Sequence, residues 1–192
     1  MISLFKKDPQ LEIASSLYRT AMDQSRLPYF YEKLGVPDTL EGRFDLLALH
    51  IYLVMNRLKS GAGAENAHQG EQITALSQKL FDVMFKNLDD NLRQMGVGDL
   101  SVARKVRVMA EAFYGRVGVY DGALKKQDDG VSLQETLLRN VYGDPAETEG
   151  GTGQGAIALG AYVYQVLDDF MKQPTDRILA GILYFPDPEE AA

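Results

Sequence analysis

Cysteine is absent from this 192-residue sequence, and histidine occurs only twice, at His50 and His68. The missing thiols exclude disulfide bridges, thiolate zinc sites, iron–sulfur ligation and cysteine nucleophiles, and they fit a reducing compartment. With so little histidine, a histidine-based catalytic triad has little material to draw on. The composition therefore argues against redox chemistry and against most covalent catalysis.

Long apolar runs are also lacking. The longest one, residues 46–55, contains His50 and has ten residues, whereas a helix needs about 20 to cross a bilayer. The N-terminal residues MISLFKKDPQ contain no apolar core of signal-peptide length and do not have the arginine-rich, acid-poor pattern of an organelle presequence. We therefore expect a cytoplasmic protein in which the longest apolar run is a buried helix.

Positive charge is scarce overall, because 20 Lys and Arg stand against 27 Asp and Glu, for a formal net charge of −7. This balance argues against attraction of the whole protein to nucleic acid, and DNA is not an expected partner. Between residues 93 and 126, however, seven cations and three anions give +4, while three cations and twelve anions give −9 in 127–192. The basic charge belongs to one segment.

What the sequence does contain is helical periodicity, most clearly in and just before the stretch 81–124. Its first apolar stripe, with spacings of three and four, consists of Ile73, Leu76, Leu80, Met84, Leu88, Leu92 and Met95. After Gly96 and Gly98, either Asp99 or Ser101 can cap a second helix. The stripe of that helix consists of Val102, Val106, Met109, Phe113, Val117 and Tyr120. The pattern predicts a helical hairpin whose two stripes face each other.

The same period predicts further helices over residues 9–25, 40–58 and 156–171, with shorter helices between and after them. The helix over 40–58 has the widest apolar stripe and is expected to be central. The glycine-rich stretch 60–70 and the acidic stretch 144–155 are predicted to be loops. No alternating run of β-branched residues supports a strand.

These elements predict an all-α, single-domain helical bundle of about six to eight helices, built around the long hairpin. We expect residues 1–28 to form an N-terminal helix that packs on a helical domain of residues 29–188. Residues 189–192 are predicted to be a disordered tail.

Two short motifs invite a chemical interpretation. Residues 153–158, GQGAIA, satisfy the dinucleotide pattern G-x-G-x-x-A, but no strand precedes them, so a linker and helix start is favoured. Glu65 and His68 have the E-x-x-H spacing of di-iron bundles, which need two such copies and two further glutamates. A loop is favoured there too. We predict no catalytic residue, metal or cofactor, and a metal- or nucleotide-dependent enzyme is the least favoured alternative.

Three cations, Arg104, Lys105 and Arg107, lie with Glu111 opposite the apolar stripe of the second hairpin helix. We call these three cations the basic ridge. One interpretation is a solvated helix face. The other is a docking surface for a phosphate-rich or acidic partner, such as ribosomal RNA or a zone of lipid headgroups. The sequence pattern leaves both interpretations open.

Three stretches of the chain resemble those of a known family: GRFDLLALHIYLVMNRLK, LFDVMFKNLDDNLRQMGVGDLSVARKVRVMAEAFYGRVGVYDGAL and LAGILYFPDP. Their most specific part is MGVGDLSV followed by MAEAFYGR, Tyr120 and Ala123, where glycines, acids and aromatics occur in a fixed order. Over most of residues 29–188, the chain resembles the ubiquinol-cytochrome c chaperone family.

The resemblance implies a non-enzymatic assembly factor for the cytochrome bc1 complex, a chaperone that binds newly made cytochrome b. It further implies work near the ribosome or at the inner face of the cytoplasmic membrane, alone or with a second assembly factor. On this hypothesis Arg104, Lys105, Arg107 and Arg116 are the candidate docking residues. The alternative from another class is a helical protein-interaction module unrelated to respiration.

Overall fold

The computed structural model describes residues 8–61, 67–143 and 152–190. Its α-helices are α1 Pro9–Ser25, α2 Pro28–Glu32, α3 Leu40–Gly61, α4 Ala67–Gln94, α5 Asp99–Leu124, α6 Val131–Leu137, α7 Thr152–Lys172 and α8 Thr175–Leu179. A π-helix, Leu138–Tyr142, continues α6, and a 3-10 helix, Pro188–Glu190, lies near the end of the chain. These residues contain no strand, so the prediction of an all-α bundle is confirmed.

Helix α3 lies at the centre of the bundle, as its wide apolar stripe predicts. Every residue from 46 to 54 is buried, and α3 contacts α1, α4, α5, α7 and α8. A helix that is apolar on all sides is stable only when neighbours surround it. The sequence of α3 therefore accounts for its position.

His50 is a fully buried residue of α3, and both of its ring nitrogens have partners. Nδ1 lies 2.8 Å from the carbonyl oxygen of Leu46, and Nε2 lies 3.0 Å from the hydroxyl oxygen of Tyr162 in α7. Burial lowers the pKa of His50 to about 4, because a buried site disfavours the charged imidazolium. The residue is a neutral link between α3 and α7.

The hairpin of α4 and α5 is present, and Gly96 forms the corner between the helices. Gly96 has a φ of +80°, and its N–H donates to Arg93 O at 2.9 Å while the N–H of Val97 donates to Leu92 O at 3.1 Å. These two bonds are a Schellman motif, which favours glycine at the left-handed position. The prediction that Asp99 or Ser101 caps α5 is wrong. The N-cap is Gly98, which has no side chain to accept a hydrogen bond from the helix.

The stripe of α4 is buried from Ile73 to Leu92, but Met95 is 65% exposed because the chain leaves the helix there. Helix α4 also packs more extensively against α1 than against α5. It meets α5 through an aromatic cluster, in which the Phe81 ring centroid lies 5.8 Å from that of Phe113 and 5.0 Å from that of Tyr114. The prediction of two facing stripes therefore holds only in part.

The C-terminal third differs from the prediction at three places. Helix α7 begins at Thr152, so the predicted linker contributes the helix's first turn. Residues 176–185, which are predicted from their apolar content to add a last half-helix, are helical only as far as Leu179, because Gly181 adopts a φ of +82°. Glu189 and Glu190, which were predicted to lie in a disordered tail, form the 3-10 helix.

Candidate functional site

The outer face of α5 carries the predicted docking residues. Only Val102, Phe113, Tyr120 and Ala123 of this helix are fully buried, so most of its circumference faces solvent. Arg104, Lys105 and Arg107 all lie exposed on that outer side. Arg107 Nε is 3.7 Å from Glu111 Oε1, with both side chains at least 70% exposed, and such surface pairs contribute little to stability.

A groove of about 580 Å³ separates the first half of α5 from the start of α3. We call it the α5 groove. Leu40 and Phe44 of α3, together with Val108 and Met109 of α5, supply apolar walls. Arg104 and Lys105 also line the groove, and within the described part of the chain neither forms an ion pair. The groove therefore joins apolar surface to two available cations.

Arg116, the fourth predicted docking residue, is differently placed. Its Nη2 lies 2.5 Å from Asp45 Oδ1, and the two side chains are only 17% and 14% exposed. The guanidinium carbon also lies 5.6 Å from the ring centroid of Phe44, within the range of a cation–π contact. Arg116 thus joins α5 to α3 beneath the groove, and its charge is already engaged.

The same burial also shifts the pKa of Asp45. Loss of water raises its pKa to about 7, while the positive charge of Arg116 limits the rise and the negative charge of Glu41 adds to it. The Nε of Arg116 is buried and has no hydrogen-bond partner within the described residues. The pair lines the groove with a polar, partly satisfied contact.

The structure therefore brings together Arg104, Lys105 and Arg107 on an exposed face. Arg116 differs from them, because its side chain is mostly buried and paired with Asp45. Their role in docking stays a prediction. Sequence reasoning missed the apolar half of the groove, in particular Phe44 and Val108. Val108 carried a signal in the sequence, because it is an apolar residue that lies off the core stripe. The structure shows that its side chain is 52% exposed. Phe44 carried none, since it fits the core period of α3.

Gly155, in the motif GQGAIA, has a packing role. A Cβ atom there would lie 2.1 Å from the backbone oxygen of Leu34, so only glycine permits this approach of α7 to the α2–α3 connection. Glu65 lies outside the described residues, as does the side chain of His68. The part of the chain that the structure describes contains no group of three or more side chains suited to hold a metal ion.

None of the described helices is both long and apolar enough to span a membrane. The fold defines a class of protein: an α-helical bundle with an open groove between α3 and α5 on its outside. A comparison with known families then identifies the particular family. Residues 32–185 match the model described as ubiquinol-cytochrome C chaperone, and the chain belongs to that family.

The relatives agree with this assignment. The chain is 23% identical over 138 residues to ubiquinol-cytochrome-c reductase complex assembly factor 1 of Xenopus laevis, and 21% identical to the proteins of that name in mouse and human. The alignments cover 71% of this chain but only 65% of the frog protein and 44% of each mammalian one. The chain thus spans less than two thirds of the length of these relatives.

A solved structure resembles almost the whole fold. The crystal structure of the Cbp3 homolog from Brucella abortus matches with a TM-score of 0.75 and 32% sequence identity, covering 94% of this chain and 92% of that one. The similarity therefore includes α1, which lies before the matched family region. The resemblance inferred from the hairpin residues is confirmed.

Proposed function

We propose that this protein is a non-enzymatic assembly factor for the cytochrome bc1 complex and that its client is newly made cytochrome b. The observation that carries the proposal is the family match over residues 32–185. The names of the relatives, which are assembly factors of the ubiquinol-cytochrome c reductase complex, support it. The similarity to the Cbp3 homolog supports it over nearly the whole chain, because that structural match covers 94% of this chain and 92% of the other.

In this proposal the α5 groove holds the client. The apolar walls around Phe44 and Met109 give a client segment a place to bury apolar surface, at about 25 cal/mol per Å² removed from water. Arg104, Lys105 and Arg107 then attract acidic groups that flank the segment, and Arg116 keeps the groove in shape through Asp45. Apolar contact provides affinity, and the cations steer the client towards the groove and fix its orientation there.

We further propose that the protein acts in the cytoplasm, peripherally at the inner face of the cytoplasmic membrane and close to the ribosome. The basic ridge supports this location, because a local cluster of cations is attracted to polyanionic surfaces even on an acidic protein. A second assembly factor is a further proposed partner. DNA is not proposed as one, given the net charge of −7.

The decisive experiment is deletion of the gene, followed by measurement of cytochrome b by haem spectra and of the assembled complex on native gels. We expect both to be lost and to return with the wild-type protein. Affinity capture from actively translating cells should enrich nascent cytochrome b. Normal levels of cytochrome b and of the complex in the deletion strain would disprove the proposal.

The docking residues are tested by reversing Arg104, Lys105 and Arg107 to Glu together. If each cation contributes roughly 0.5 kcal/mol, client capture should fall about tenfold, while the melting temperature changes little. The matched control reverses Lys33, Arg139 and Arg177, which are exposed elsewhere and alter the net charge equally. Equal capture by both triple variants would show that the basic ridge is only solvated surface.

A further inference from the structure

The outer face of α7 has a composition that packing does not explain. Residues 152–167 contain no charged side chain, although α7 lies on the surface of the bundle. Its inner side is fully buried through Leu159, Tyr162, Val166 and Phe170. A surface helix ordinarily places charged and polar residues opposite its core stripe, and α7 does so only after Leu167.

Large apolar side chains occupy this outer face at regular spacing. Ile157 is 54% exposed, Tyr164 42% and Met171 61%, so exposed apolar groups recur every seven residues. Ala161, also exposed, lies between the first two. A repeat of seven with a small residue between large ones is typical of a helix that packs along another helix. We call these four residues the α7 face.

The α7 face continues into a groove of about 470 Å³. Tyr164 and Met171 line this groove together with Leu124 at the end of α5. Two lysines, Lys59 and Lys125, also line it, and Lys59 Nζ lies 3.4 Å from Asp121 Oδ2. The groove lining has three cations, Arg57, Lys59 and Lys125, against one anion, Asp121. Asp168, exposed between Tyr164 and Met171, is paired with Lys172, whose Nζ lies 2.6 Å from Oδ2. The end of the apolar face near Met171 therefore meets a local excess of positive charge.

The charges and the size of this surface distinguish between occupants. A membrane surface attracts helices that carry Lys and Arg beside their apolar face, and residues 152–167 have none. A stable complex, including a homodimer, buries about 800 Å² per partner, so one ridge of four partly exposed side chains suits a weaker, transient contact. A single partner helix makes such a contact, because it lies along the ridge, inserts side chains into the groove and can place an acidic residue beside Lys59 and Lys125.

We propose that the α7 face binds an amphipathic helix of another protein, with an apolar stripe along Ile157, Ala161 and Tyr164 and an acidic residue at the end that reaches Lys59 and Lys125. The distance from Ile157 to Met171 along α7 is about 21 Å, so the bound helix has about four turns. This surface shares no lining residue with the α5 groove. The protein can therefore hold a client and a partner helix at different surfaces.

The test uses the full chain and two fluorescent helical peptides with the same leucine stripe, one with glutamates and one with lysines at one terminus. Fluorescence anisotropy should show at least tenfold tighter binding of the glutamate peptide. The double variant Ile157→Lys with Tyr164→Lys should lose that binding at least tenfold. Lys59→Glu with Lys125→Glu should invert the preference and favour the lysine peptide.

The control is Leu11→Lys with Ile182→Lys, which adds the same charges at exposed apolar positions outside both surfaces and should leave peptide binding unchanged. Circular dichroism checks that every variant is folded. Failure of the wild-type protein to bind either peptide at high micromolar concentration, or equal binding by the Ile157/Tyr164 variant, overturns the proposal. So does a doubling of mass in light scattering, or cosedimentation with anionic vesicles, that this variant abolishes.

Because the peptides contain no cytochrome b sequence, this result is independent of the function proposed above. A protein whose deletion leaves the bc1 complex intact can still bind the glutamate peptide on α7. Conversely, loss of peptide binding in the α7 variant with normal client capture would confirm that the two surfaces are separate.

Discussion

Helices α5 and α7 both pack one side against the same core, yet their outer faces differ in charge. The outer face of α5 carries Arg104, Lys105 and Arg107 beside the exposed Val108, whereas α7 has no charge from 152 to 167. Salt screens attraction between exposed charges but leaves apolar contact largely intact. Binding to α5 should therefore weaken as salt rises, whereas binding to the α7 face should lose only the contribution of Lys59 and Lys125.

The inner faces differ as well, and two tyrosines show how. The hydroxyl of Tyr162 in α7 lies 3.0 Å from His50 Nε2 and accepts from Gln24 Nε2 at 3.1 Å. The hydroxyl of Tyr120 in α5 is buried and has no hydrogen-bond partner among the described residues. The contact of α7 with the core thus includes a hydrogen-bonded tyrosine, while the tyrosine of α5 contributes by packing alone and the polar contacts of α5 with α3 are made by Arg116 and Asp121.

The largest expected effect comes from truncating one buried ring on each helix. Phe113 in α5 and Phe170 in α7 are both fully buried, so Phe113→Ala and Phe170→Ala should each lower the free energy of unfolding by about 3–5 kcal/mol. Urea denaturation, followed by circular dichroism, measures both. A single transition with an unchanged slope in both variants would show that the helices unfold together, and two transitions would show that α5 is a separate unit.

Acid should destabilise the α7 side of the core through His50. Its pKa in the fold is about 4 against 6.5 for the free group, so below pH 6.5 the unfolded chain binds a proton that the folded protein does not. The contribution of His50 to the free energy of unfolding should therefore decrease as the pH falls from 6.5 to 4, by up to about 3 kcal/mol. Asp45 contributes in the opposite direction, because its pKa is raised to about 7 in the fold. Urea titrations of the wild type and of His50→Gln across this range isolate the His50 contribution as the difference between the two profiles, and identical profiles would contradict the assignment.

Removing the two tyrosine hydroxyls compares the inner faces directly. Tyr162→Phe leaves His50 Nε2 without its partner and removes one of the two acceptors of Gln24 Nε2, so it should cost about 1–2 kcal/mol. Tyr120→Phe removes a hydroxyl that has no partner in the described structure and should be neutral or slightly stabilising. Thermal melts of both variants decide the matter. An equal loss for the two would mean that Tyr120 has a polar partner, such as a buried water.

The smallest effect concerns glycine on the outer face of α5. A Cβ at Gly118 meets no atom within 4 Å, so Gly118→Ala should stabilise the protein by about 0.5–1 kcal/mol through the helix propensity of alanine. Measured melting temperatures test this. If the client approaches α5 closely, the same variant should capture less cytochrome b while being more stable. Gly160→Ala in α7 is the buried comparison for stability, because a Cβ there would lie 3.4 Å from Gln134.

Local sequence patterns predicted the helices well because they depend on neighbours in the chain. The period of α3 indicated its central position, and Gly96 indicated the corner between α4 and α5. Patterns were weaker where a neighbour distant in sequence decides the outcome. Met95 fits the predicted stripe of α4, and Ile157 is a large apolar residue of α7, yet both are exposed, because none of the described elements covers those ends of α4 and α7.

The candidate site was predictable only in part for the same reason. The basic ridge follows from spacing on a single helix, and the family resemblance came from the order of residues in the hairpin. The α5 groove did not follow, because its other wall comes from Leu40 and Phe44, about sixty residues earlier in the chain. Arg116 likewise matched its neighbours in charge, but its contact with Asp45 separates it from them.

By itself, the sequence determined the helical class, the hairpin, the central position of α3 and the family, since each is set by the period or order of nearby residues. Only the tertiary structure decided that α4 packs chiefly on α1, that Arg116 is engaged by Asp45, and that the apolar outer face of α7 is exposed. The physical reason is that helical period specifies which side chains share a face, whereas the packing of distant elements specifies what, if anything, covers that face.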